Sequence, residues 1–82
     1  MQEYNSKYVS TILDMRGQTL SDSLNKIIFN LKGLTTREVC EIILDDMNFA
    51  DQVTDAIKDE YNYKIVGHKS IKQNIHIYIE VI

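Results

Sequence analysis

The spacing of apolar residues switches between two periods along this chain, and the order of the switches constrains the fold more than any other feature. Val9, Thr11, Leu13 and Met15 alternate with Tyr8, Ser10, Ile12 and Asp14, the period of a strand with a mostly apolar inner face. After Gly17 the period lengthens, and Leu20, Leu24, Ile27, Ile28 and Leu31 form one stripe of a helix. Period two returns from Glu38 to Leu44, where Cys40, Ile42 and Leu44 make a wholly apolar face opposite Val39, Glu41 and Ile43. A second helical stripe of Phe49, Val53, Ala56, Ile57 and Tyr61 spans residues 48–61. Strands over 63–68 and 74–82 complete the chain, the last with Ile75, Ile77, Ile79 and Val81 inward and His76, Tyr78 and Glu80 outward. Lys69 to Gln73 reads as the hairpin connection between them.

Local signals agree with these boundaries. Thr19 or Ser21 can cap the first helix by accepting from its orphan amides, and Asp22 suits the positive end of the dipole. Gly33, followed by Leu34, is expected to end that helix in a left-handed conformation, and Asn62 to end the second. The order β-α-β-α-β-β, with helical crossovers, implies parallel β-α-β units. Each helix carries one apolar stripe, so each covers one sheet face. The expected fold is α+β: a two-layer α/β sandwich with two helices on one face of a four-stranded mixed sheet. A polar tail over 1–7 precedes this single domain, which spans 8–82. The second sheet face is expected to lie open, carrying Ser10, Glu41, His76, Tyr78 and Glu80 beside Ile43 and Val66.

Composition excludes several classes of protein. Eighty-two residues make one domain, and 44% apolar content argues against disorder. A chain this short buries roughly 60% of its unfolded surface, so its stability margin is modest. One cysteine allows no intramolecular disulfide. The longest apolar run is three residues, as in Ile42-Ile43-Leu44, against about 20 for a membrane span. The first residues lack a basic-then-apolar signal pattern, so the expectation is a soluble cytoplasmic domain with no membrane partner. A net charge of −3 weighs against nucleic acid.

Leu13-Asp14-Met15-Arg16-Gly17 at a strand-to-helix junction, followed by a second strand ending in Leu44-Asp45-Asp46, resembles the TusA/SirA-like sulfur-carrier family. The resemblance covers roughly residues 9–82. In that family a Cys-Pro-x-Pro motif follows the pentamer by two residues, and its cysteine carries a persulfide at the start of the helix. A helix N-terminus favours a thiolate, and a proline in the first turn forfeits no needed hydrogen bond. Here the aligned residues are Leu20-Ser21-Asp22-Ser23. Leu20 has no sulfur to carry, so the resemblance implies the fold while the residues deny the family reaction at its usual place.

Few other groups can substitute for the missing cysteine. Cys40 shares a face with Ile42 and Leu44, which points it into the core, where a thiol reacts poorly. Ser21 and Ser23 have no neighbouring base in the chain and read as capping or solvated residues. His68, His76 and Glu80 sketch a zinc site if both histidines face the open side, but their spacing is not diagnostic. Asp51, Asp55 and Asp59, four apart, form an acidic helix face. Arg16 can pair with Asp14 or Asp22 across the turn that Gly17 permits. Lys64, Lys69 and Lys72 gather near the hairpin, and the fold also resembles the RNA-binding C-terminal domain of the third translation initiation factor. The acidic balance and the lack of an arginine cluster weigh against that function.

The resulting expectation is a non-catalytic TusA-like protein that binds a protein partner of a sulfur relay or related redox pathway. Its candidate binding residues are Arg16, Gly17, Leu20, Ser21 and Asp22. No metal and no cofactor is signalled, and the chain reads as an interaction protein more than an enzyme. The alternatives are a sulfur carrier using Cys40 and an RNA-binding module. The open sheet face, with Ile43, Val66 and Tyr78, is a candidate homodimer surface.

Overall fold

The computed structural model describes residues 9–82, so the expected tail and Tyr8 lie outside the described residues. Six elements follow in the expected order: β1 (Val9–Asp14), α1 (Leu20–Lys32), β2 (Val39–Leu44), α2 (Met47–Lys58), β3 (Tyr63–Ile71) and β4 (Asn74–Val81). They build a four-stranded mixed sheet in the order β1-β2-β4-β3, with β1 parallel to β2 and β4 antiparallel to both neighbours. The β2-α2-β3 crossover therefore leaves a gap that β4 fills.

Both helices pack on one face of this sheet. Ile27 and Leu31 of α1 and Val53 and Ile57 of α2 meet Cys40, Ile42 and Leu44 of β2 and Ile75, Ile77 and Ile79 of β4. Each fully buried aliphatic side chain contributes about 1.5–3 kcal/mol, which makes this layer the main source of stability. Cys40 points inward with Ile42 and Leu44, as strand alternation requires.

Thr19 is the cap of α1, its Oγ1 accepting from the amide of Asp22, and Asp46 caps α2 by accepting from Phe49. The second helix thus starts at Met47, one residue before the periodicity suggested, and stops at Lys58. Tyr61 falls beyond it and is 88% exposed, while Ala50, three residues before Val53, is the buried alanine of the stripe. The expected glycine stop is corrected as well. Gly33 stays in the right-handed region at φ −84°, its N–H shared between the Asn30 and Leu31 carbonyls. The left-handed residue comes later, at Arg37 (φ 74°), whose amide donates to Val81 O at 2.7 Å. Asn62 is not left-handed either, because Asp59 ends α2 in the right-handed region.

The terminal hairpin differs most from expectation. β3 runs on to Ile71, and only Lys72 and Gln73 separate it from β4, with Lys72 at φ 58° taking the turn. A register irregularity between Ile65 and Gly67 adds one residue to β3 against β4. That single residue reverses the side-chain parity downstream.

The second sheet face is closed at its centre, against the expectation of an open one. Tyr78 is 0%, Glu41 6% and His76 9% exposed, and Val39 is buried as well. Alternation assigns residues to a face but says nothing of how deeply they are covered. Here Glu41 stands directly across from Tyr78, and the Lys69 ammonium lies 5.7 Å from the Tyr78 ring centroid. The margins of that face stay accessible, through Ile12 of β1 at 60% exposure and through Lys64 of β3. Tyr78 is therefore not available to a dimer partner.

Candidate functional site

Parallel strands bring their carboxyl ends to one edge of a sheet, and that edge is where loops from several elements meet. In this protein β1 ends in Asp14 and β2 in Leu44, with Asp45 next in the chain, and the β3–β4 turn reaches the same end. Asp14, Arg16, Gly17, Asp45, Gln73 and Asn74 line an open cleft of about 730 Å³ there.

The Asp14–Gly17 turn is built from its own residues. The Asp14 carboxylate accepts from the Arg16 amide (3.1 Å), from Arg16 Nε (2.8 Å) and, through its second oxygen, from Nη2 (2.6 Å). Gly17 sits at φ +74°, a conformation that costs a residue with a side chain, and nothing lies within 4 Å of where a Cβ would point. The residue type is therefore demanded by backbone angle, not by crowding. Lys26 of α1 donates to the Gln18 side chain at 2.9 Å, tying the loop to the helix it enters.

The cleft sets one cation, Arg16, against two carboxylates, Asp14 and Asp45. The Arg16 side chain, and then its amide, holds the Asp14 carboxyl down from its ordinary 3.8 to about 2. Arg16 is raised in turn, chiefly by Asp14, with Asp45 adding a smaller attraction. A depressed carboxyl pKa stabilises the fold above the unfolded value and loses that effect as pH falls toward the folded one. NMR titration of the Asp14 carboxyl should give a midpoint near 2. In Arg16→Gln the midpoint should return toward the ordinary carboxylate range, and no change in that variant would show that the pair is not formed in solution.

Of the residues expected to bind, Arg16 and Gly17 line this cleft, whereas Leu20, Ser21 and Asp22 lie along the start of α1 outside its lining. Ser21 and Asp22 are exposed and Leu20 is half-buried against the core. Of Arg16's two proposed partners, the structure selects Asp14. Ser23 is corrected: it is fully buried, not solvated, and its Oγ has no hydrogen-bond partner among the described residues. Asp45, Gln73 and Asn74 were not recognisable as neighbours of Arg16, because only the sheet order and the two-residue hairpin turn bring them together.

Cys40 is 0% exposed beneath the helices, and burial, reinforced by the Glu41 charge, pushes its thiol up to about 12. The sketched zinc site is undone by the irregularity in β3. His68 faces α2 with Ile65 and Ile77, while His76 and Glu80 project from the opposite face. No group of three or more metal-ligating side chains converges among the described residues. His76 is instead bound to Glu41, with Nδ1 2.5 Å from Oε2.

Compared with family models and with curated proteins, the chain matches none. No described helix is long and apolar enough to cross a membrane.

Proposed function

We propose that this protein works by binding a protein partner at the Arg16 cleft, as a TusA-like scaffold that carries no sulfur, in a cytoplasmic sulfur relay or related redox process. The observation that carries the reading is the position of its only thiol. A carrier needs an accessible thiolate, and Cys40 is enclosed by core side chains with its ionisation suppressed. The helix start that would favour a thiolate holds Leu20. What remains at the junction is a turn held in one shape by Asp14 and Arg16, with Asp45, Gln73 and Asn74 beside it. Such a surface offers directional hydrogen bonds without a nucleophile, which suits recognition. The alternative of a carrier using Cys40 would require β2 to turn over, since Cys40 faces the core in the observed register.

The test is persulfide loading. The purified protein, incubated with a cysteine desulfurase and cysteine, is expected to show no gain of a sulfur atom by intact mass, while Leu20→Cys gains one. Sulfur on Cys40 of the unaltered chain would overturn the reading. Failure of Leu20→Cys to load would remove the sulfur-carrier scaffold from it.

A further inference from the structure

A groove runs between α2 and the edge of the sheet at β3, and it shares no residue with the Arg16 cleft. Its volume is about 250 Å³, with Ile65, Ile75 and Ile77 as an apolar floor and Asp51, His68 and Ser70 along its rim. It exists because β3 lies at the end of the sheet, where no further described element closes the layer over it.

β3 is the last strand of the sheet, and no described strand lies beyond it. An antiparallel edge strand turns the N–H and C=O of alternate residues outward, a template for another strand unless it is blunted. The first half of β3 is blunted by the irregularity between Ile65 and Gly67. The second half is not. His68 to Ile71 pair in unbroken register with Ile77 to Asn74, and the one charge among them, Lys69, lies over Tyr78 on the other face.

A strand added beside His68–Ile71 would place every second side chain over the groove, because strand side chains alternate. The floor suits aliphatic groups. The rim suits a cation: Asp51 is exposed at the mouth, and Asp55, one turn along α2, is exposed too. Two carboxylates at that spacing repel, and a positive charge between them relieves the repulsion.

We propose that this edge and groove bind an extended segment of a partner protein, an alternating aliphatic and basic peptide that joins the sheet beside His68–Ile71 and sets a lysine or arginine against Asp51. The proposal is independent of the reading of the Arg16 cleft. Its test is an amide-resolved NMR titration with two capped hexapeptides, (Lys-Val)₃ and (Glu-Val)₃. The lysine peptide is expected to shift the amides of His68–Ile71 and of the first turns of α2, with little response to the glutamate peptide. Asp51→Lys, an exposed substitution, should weaken the lysine peptide at least about fivefold and improve the glutamate peptide. Absence of shifts, equal response to both peptides, shifts confined to β1, or indifference to Asp51→Lys would each overturn it.

Discussion

Alanine in place of Glu41 is expected to lower the free energy of unfolding by about 3 kcal/mol, a large share of the roughly 4–12 kcal/mol that a chain of this length holds. Glu41 and His76 are both nearly inaccessible, and Nδ1 lies 2.5 Å from the carboxylate. A carboxylate only accepts, so the nitrogen carries the hydrogen between them. Removing the acceptor leaves a nearly buried N–H without its partner. A neutral donor left so costs about 1–3 kcal/mol and a charged one about 3–5 kcal/mol, and the expected value lies where the two ranges meet. The Asp14–Arg16 pair has a comparably short contact of 2.6 Å, yet both partners stand in solvent, and breaking it should matter less. Urea unfolding of Glu41→Ala, His76→Ala and the Glu41→Leu/His76→Leu double variant separates the possibilities. The single variants should lose similar amounts, and the double variant should recover most of the loss, because apolar groups of similar volume leave nothing unsatisfied. A loss below about 1 kcal/mol in Glu41→Ala would mean that water reaches the pair.

That pair also marks how far periodicity carries. The face of each β2 and β4 residue was legible, because a side-chain period of two leaves no choice once one residue is placed: Cys40, Ile42, Ile77 and Ile79 all point to the helices. Depth was not legible, since Glu41 and His76 in a strand look the same whether solvent or protein lies over them. The face of His68 was left open, because the extra residue between Ile65 and Gly67 is a property of two strands in register, invisible in either alone. Lys69 to Gln73 looked like a loop for the opposite reason. The turn uses Lys72 in a left-handed conformation, which propensity assigns to glycine or asparagine. Asp14 and Arg16 were legible as partners two residues apart. Their cleft was not, because Asp45, Gln73 and Asn74 arrive from elements fixed only by the order β1-β2-β4-β3.

In the folded protein, Cys40 is expected to react with iodoacetamide at pH 8 about a thousandfold more slowly than an unburied cysteine, on ionisation alone. The thiolate is the nucleophile, and raising the pKa from the ordinary 9.0 to about 12 lowers its fraction at that pH by that factor. Core packing slows the reaction further, since the sulfur is 0% exposed and labelling must await an opening of the helix layer. Urea should therefore raise the rate to that of a free thiol, with the same midpoint as unfolding. The sign of the linked pH effect follows. The folded state holds the neutral thiol, so its stabilising contribution is complete below about 9 and is lost as pH rises toward 12. Leu20→Cys supplies an internal comparison, because its thiol stands at the start of α1, where free amides and the helix dipole favour the anion. That variant should label once quickly and once only on unfolding, within one molecule. Rapid labelling of Cys40 in the native chain would instead mean that β2 exposes it, and the carrier reading would then rest on a real nucleophile.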